Sequence, residues 1–160
     1  MDMRRIIFSF ITVVILSGAC HSQEVMTDNL PGLKKNAINL TLGFGGLYLT
    51  GLCNYERMVY EIPRSFVSSL WLRAGLGPWL AWEEDGMNYF SSLMIMTGRN
   101  KSHFEFSAGI MVMHTSYDNY NTVLPAGNIG YRLQKPGSGF AFRAGAGWPE
   151  AGYVSIGLCF

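Results

Sequence analysis

From Asn36 onward, apolar and polar residues alternate with a period of two, the mark of a strand whose faces meet different surroundings. Ile38, Leu40, Leu42 and Phe44 share one face, and Asn39, Thr41 and Gly43 the other. Between Ser102 and Met113, Phe104, Phe106, Ala108, Ile110 and Val112 oppose His103, Glu105, Ser107 and Gly109. Phe140, Phe142, Ala144 and Ala146 oppose Arg143, Gly145 and Gly147, and Val154, Ile156, Leu158 and Phe160 oppose Tyr153, Ser155 and Gly157. The spacing predicts strands near 36–45, 47–60, 65–78, 87–98, 102–114, 122–134, 138–148 and 151–160. Turn formers at Glu61–Arg64, Gly98–Lys101 and Lys135–Ser138 mark short connections on the side of the termini. Leu80–Gly86 and His114–Asn121 read as longer loops at the opposite end. The expected fold is all-β, an antiparallel up-and-down barrel of about eight strands over residues 36–160.

The faces argue for the solvent. Glu56, Arg73, Glu105, Arg132 and Arg143 fall on the glycine-rich face, while the other face of several strands is wholly apolar. A soluble barrel turns its charges outward; a membrane barrel turns them inward, because charge facing lipid is costly. The reading is therefore a transmembrane barrel whose five inward charges form a lumen network, with Glu56 and Glu105 satisfying the three arginines. Trp71 shares the face of Arg73, for which the sequence offers no reason. Trp79, Trp82, Tyr89, Tyr117, Tyr120 and Trp148 are expected as an aromatic girdle at the lipid interface. Their rings would also suit a surface patch for sugars or a partner protein.

The first 22 residues change the picture from fold to destination. Arg4 and Arg5 precede an apolar run, Ile6–Leu16, and the small residues Ser17, Gly18 and Ala19 follow, which is the order of a secretory signal peptide. The run is shorter than the about 20 residues of a spanning helix. Ser17-Gly18-Ala19-Cys20 approaches a lipobox, with Leu16 one place too far from the cysteine, and ordinary cleavage near Gln23 is favoured over lipidation. Residues 23–35 then form a periplasmic N-terminal segment. Without residues 1–22, Lys+Arg falls from 12 to 10 and Asp+Glu from 11 to 10, leaving no electrostatic footprint for nucleic acid. Cys53 and Cys159, far apart and without neighbouring ligands, suggest neither zinc nor a disulfide framework. No metal or cofactor is expected.

Chemistry has one foothold. His114-Thr115-Ser116 resembles the His-x-Ser arrangement of outer-membrane lipid A deacylases, and alternation sets His114 and Ser116 on one face. Asp118, Glu83, Glu84 or Asp85 would have to orient the histidine, and the downstream glutamate of those enzymes has no counterpart. His114 reads as a rim histidine without a catalytic role. Gly43–Gly46 lacks the strand–turn–helix setting of a phosphate loop and reads as a tight hairpin.

Short stretches carry a wider resemblance: Asn54-Tyr55-Glu56-Arg57, Leu72-Arg73-Ala74-Gly75-Leu76-Gly77 and Gly98 through Gly109. Asn128-Ile129-Gly130-Tyr131-Arg132, Phe142-Arg143-Ala144-Gly145, and Ser155-Ile156-Gly157 before Phe160 continue it. Together they resemble small outer-membrane β-barrel proteins of Gram-negative bacteria, in the porin-like and OmpA/OmpX-like class. Phe160 matches the terminal aromatic of such barrels and is expected as the membrane-insertion signature, although Leu158-Cys159-Phe160 stands where the class often has Tyr-Ser-Phe. The resemblance implies a monomer in the cell outer membrane, with lipid, lipopolysaccharide and the barrel-assembly machinery as partners. Its expected role is structural, adhesive or surface-binding, without catalysis. The alternatives are a narrow pore, a lipid A deacylase-like hydrolase at the rim, and a soluble exported lipocalin-like barrel.

Overall fold

A computed structural model describes residues 32–62, 65–98, 100–117 and 120–160. The expected signal segment, its cleavage site and Cys20 lie outside the described residues, as does Asp118. The chain forms eight strands: β1 (Asn36–Phe44), β2 (Tyr48–Glu61), β3 (Val67–Ala81), β4 (Asp85–Thr97), β5 (Ser102–Thr115), β6 (Asn121–Leu133), β7 (Phe140–Trp148) and β8 (Gly152–Cys159). Each pairs antiparallel with the next and β8 returns to β1, so the sheet closes on itself with no free edge strand. Past the last pair of that seam, Asn36 and Phe160 exchange two backbone hydrogen bonds of 3.0 and 2.9 Å. The expected all-β up-and-down barrel is thus the observed one.

The expected contrast between short turns and long loops is not observed. At the end away from the termini, three connections have three residues each, Gly45–Leu47, Trp82–Glu84 and Pro149–Ala151, and Ser116–Tyr120 has five. The connections beside the termini are no shorter. Pairing overrode local composition: Leu80, Asp85 and Gly86 look like loop residues, yet they extend the β3–β4 ladder, Leu80 opposite Asp85 and Trp79 opposite Gly86. Pro78 is exposed on the outer face, and the β2–β3 ladder passes over its position, where a missing N–H breaks no pair. The Ala81 N–H then donates to the Glu84 carbonyl at 2.8 Å, closing the turn. In the β1–β2 hairpin the Gly45 N–H donates to the Tyr48 carbonyl at 2.9 Å, and Gly46 adopts φ 82°, a conformation that costs glycine nothing.

Alternation sorts the side chains cleanly. Leu40, Leu42, Leu76, Leu93, Phe104, Ile129, Ile156 and Leu158 stand outside with half to two-thirds of their surface bare, so an apolar girth runs around the barrel. Arg57, the charged residue on this outer side within β2, stands opposite Asn36 at the base. The inside is polar in its middle and apolar toward both ends. Trp71, Met94 and Met96 pack near the terminal end, with Leu33 and Met58 against them. Leu52, Phe90, Met111 and Ala126 fill the lumen toward the other end. Free Cys159 packs inside with Ala37 and Ala141, and free Cys53 faces out.

Candidate functional site: the charged layer and its cap

Between the two apolar zones lies a buried layer of charge. Glu56 on β2 and Arg73 on β3 are direct cross-strand partners, as are Arg132 on β6 and Arg143 on β7. Two arginines facing each other would repel, but both reach Glu56: Arg143 Nη1 to Oε1 at 2.7 Å and Arg132 Nη2 to Oε2 at 2.9 Å. Arg73 Nε donates to Glu56 Oε1 at 2.7 Å. Glu105 on β5 completes the set, 2.7 Å from Arg143, 3.4 Å from Arg73 and 3.5 Å from Arg132. All five side chains are buried, none more than 3% exposed. The structure therefore brings together the five residues that alternation placed on one face.

Trp71 has its explanation here. Its ring lies under the Arg132 guanidinium, 5.0 Å from carbon to centroid, a stacking that stabilises a desolvated cation. Its indole N–H donates to Ser69 Oγ at 2.8 Å, so the buried tryptophan leaves no polar atom unpaired. Tyr153 plays a similar part beneath Arg143, at 5.6 Å. Arg73 Nη2 also lies 2.7 Å from the Met94 sulfur.

Above the charges runs a chain of small polar groups. The Asn54 amide donates to Thr41 Oγ1 at 3.0 Å, and Thr41 donates to Ser155 Oγ at 2.9 Å. Each inward asparagine stands opposite a glycine: Asn39 and Gly157, Asn54 and Gly75, Asn88 and Gly77, Asn128 and Gly147. A Cβ on Gly75, Gly147 or Gly157 would collide with the amide lying across it. Glycine thus fits Asn39, Asn54 and Asn128 into a lumen that eight strands leave only just wide enough to fill.

The lumen is closed from above by Glu150, in the turn between β7 and β8, which points into the mouth with only 4% of its surface exposed. Thr50 donates to its Oε1 at 3.0 Å. Burial is the main influence on this carboxyl and pushes its pKa above the usual glutamate range. Between Glu150 and the arginines remains a cavity of about 20 Å³, lined by Thr41, Asn54, Arg73, Asn128, Arg143 and Tyr153 among others. That is room for about one water. No pattern singles out Glu150, because a Trp-Pro-Glu turn reads as solvated; only the closed barrel shows that the turn folds over its own mouth.

The other candidate residues are dispersed. Trp82, Tyr89, Tyr117, Tyr120 and Trp148 are exposed toward the end away from the termini. Trp79 is a correction: it is buried inside, its indole N–H donating to the His114 carbonyl at 3.2 Å. Alternation carries on unbroken from Trp71 through Arg73, Gly75 and Gly77 to Trp79, and Gly86 opposite makes room for the ring. His114 sits on the outer side of β5 with Nδ1 3.0 Å from Asn121 Oδ1. Ser116 lies just past the end of β5, where its N–H donates to the Asp85 carbonyl at 2.9 Å, and the His114 ring is engaged with Asn121, not with Ser116. Among the described residues no three His, Cys, Asp or Glu side chains gather as a metal site. Comparison with models of protein families, with curated proteins and with solved structures gives no match to this chain.

Proposed function

We propose that this chain is an integral outer-membrane β-barrel with a closed, salt-bridged lumen, exported by its N-terminal signal segment, and that its role is structural or surface-binding, without catalysis. The observation that carries the reading is the inversion of the faces. Large apolar side chains ring the outside, while Glu56, Arg73, Glu105, Arg132 and Arg143 are buried inside. In water, such a girth would far exceed the few hundred Å² of contiguous apolar surface that a monomer ordinarily exposes. In lipid the same surface is solvated and the inward charges are shielded. Lipid and lipopolysaccharide are then the outer neighbours, Phe160 the segment read by the assembly machinery, and the monomer the working unit. A narrow pore fits less well, because a cavity of about 20 Å³ is no passage. Surface binding would fall to Leu47, Trp82 and Tyr117, the most exposed apolar residues of three connections at the far end.

The eight-stranded closed barrel is equally that of a soluble lipocalin-like protein, and one experiment separates the two. Expressed protein is fractionated, and its gel mobility is compared with and without boiling. Recovery in the outer membrane with a heat-modifiable band supports the proposal. Recovery in the soluble periplasm overturns it, and an exported soluble barrel takes its place.

A further inference from the structure

We infer that the cavity between the arginine layer and Glu150 is a binding site for one small monovalent anion of halide size. The layer sets three guanidinium groups against two carboxylates, all buried, so one positive charge is in excess where an unbalanced charge is costly. Arg73 and Arg143 of that layer form the floor of the cavity. Arg143 Nη2 lies 2.7 Å from Glu105 yet makes no aligned hydrogen bond, and Tyr153 Oη, Asn54 Oδ1 and Asn128 Oδ1 have no hydrogen-bond partner either. The two amide oxygens pack against Gly75 and Gly147, so the donors available to the cavity are the Arg73 and Arg143 guanidiniums and the rotatable O–H of Tyr153. Leu52 and Phe90 complete the lining and keep bulk water away, which strengthens the pull of the guanidiniums. The volume suits one ion and excludes an organic acid.

Glu150 is the competing anion, being the one acid among the cavity's lining residues. Thr41 on β1, Tyr48, Thr50 and Asn54 on β2, Arg73 on β3, Asn128 on β6, Arg143 on β7 and Tyr153 on β8 are the polar or titratable groups around it, with Gly43 of β1 against its side chain. Ionised, Glu150 balances the excess charge itself; protonated, it yields the place to an ion from solution. The site belongs to the closed barrel, whatever solvent surrounds it.

The test uses the full folded chain from whichever fraction holds it, titrated with chloride against gluconate at constant ionic strength. Chloride-35 line broadening is read for the wild type, Glu150→Gln and Tyr153→Phe, with the unfolded chain as control. Expected is saturable broadening in the wild type that tightens as pH falls. In Glu150→Gln it should be about tenfold tighter and independent of pH, and in Tyr153→Phe weaker. Broadening that fails to saturate in both wild type and Glu150→Gln, and equals that of the unfolded chain, overturns the inference and leaves the cavity to water. Saturable binding that neither variant alters overturns it as well, since the ion then sits elsewhere.

Discussion

Glu56 and Glu105 serve the same three arginines, but not equally. Glu56 holds all three within 2.9 Å, whereas Glu105 reaches 2.7 Å only with Arg143 and 3.4–3.5 Å with the others. Removing one partner of a buried ion pair costs about 3–5 kcal/mol, because a desolvated charge is left behind. Glu56→Gln is expected to lose that much in urea unfolding and Glu105→Gln somewhat less. Glu84→Gln, on the exposed turn, should stay within about 0.5 kcal/mol of the wild type. Equal stability for all three would show that the layer does not hold the fold. Glu150 carries a signed prediction of its own. A carboxyl whose value is raised in the fold keeps its proton there over a range in which the unfolded chain has lost it. Its contribution is full below the ordinary glutamate value and is lost as pH rises through the raised one. The stability of Glu150→Gln relative to the wild type should therefore climb across that window, as unfolding measured from pH about 4 to about 8 would register.

At the scale of the strand, one substitution reads the solvent directly. Leu40, midway along β1, faces outward and is 61% exposed. Leu40→Arg should cost about 2–4 kcal/mol if the strand lies in a bilayer. On a soluble barrel an exposed position tolerates it within about 0.5 kcal/mol. Unfolding from lipid vesicles or from buffer, as the fractionation dictates, gives the answer. The strands themselves were legible in the sequence because the two faces differ so sharply at Ile38–Phe44, Phe104–Val112 and Val154–Phe160. The far ends of β3 and β4 were not, since glycine, proline and clustered acids suggest loops unless the partner strand is known. Trp79 went astray for the same reason, although its parity with Arg73 already pointed inward. The asparagine–glycine pairs were beyond reach, because they join residues whose opposition only the register reveals.

For the whole molecule, the layer, the cap and the apolar fillings together make a solid cylinder rather than a tube. Folded protein in a planar bilayer should show no steady conductance. Sustained single-channel currents would mean that the Arg–Glu layer and the Glu150 turn part in the membrane. With connections of three to five residues at the end away from the termini, the molecule has little to lose by surface proteolysis. Protease applied to that end should leave the barrel intact, with Ser116–Tyr120 the first place to be cut.

The glycines facing the asparagines bear on how such a sheet finds its alignment. A slip of one residue at any seam turns every side chain to the opposite face, but a slip of two keeps the faces correct and is harder to reject. Either direction would set Asn39 against Ser155 or Cys159 instead of Gly157, one direction would set Asn54 against Arg73 instead of Gly75, and both would carry Glu56 away from Arg73. Four seams carry an asparagine–glycine pair, and at three of them a Cβ in place of the glycine would strike the amide. The interior thus works as a proofreader of strand pairing. Its errors are reported as steric and electrostatic penalties before the last seam can close.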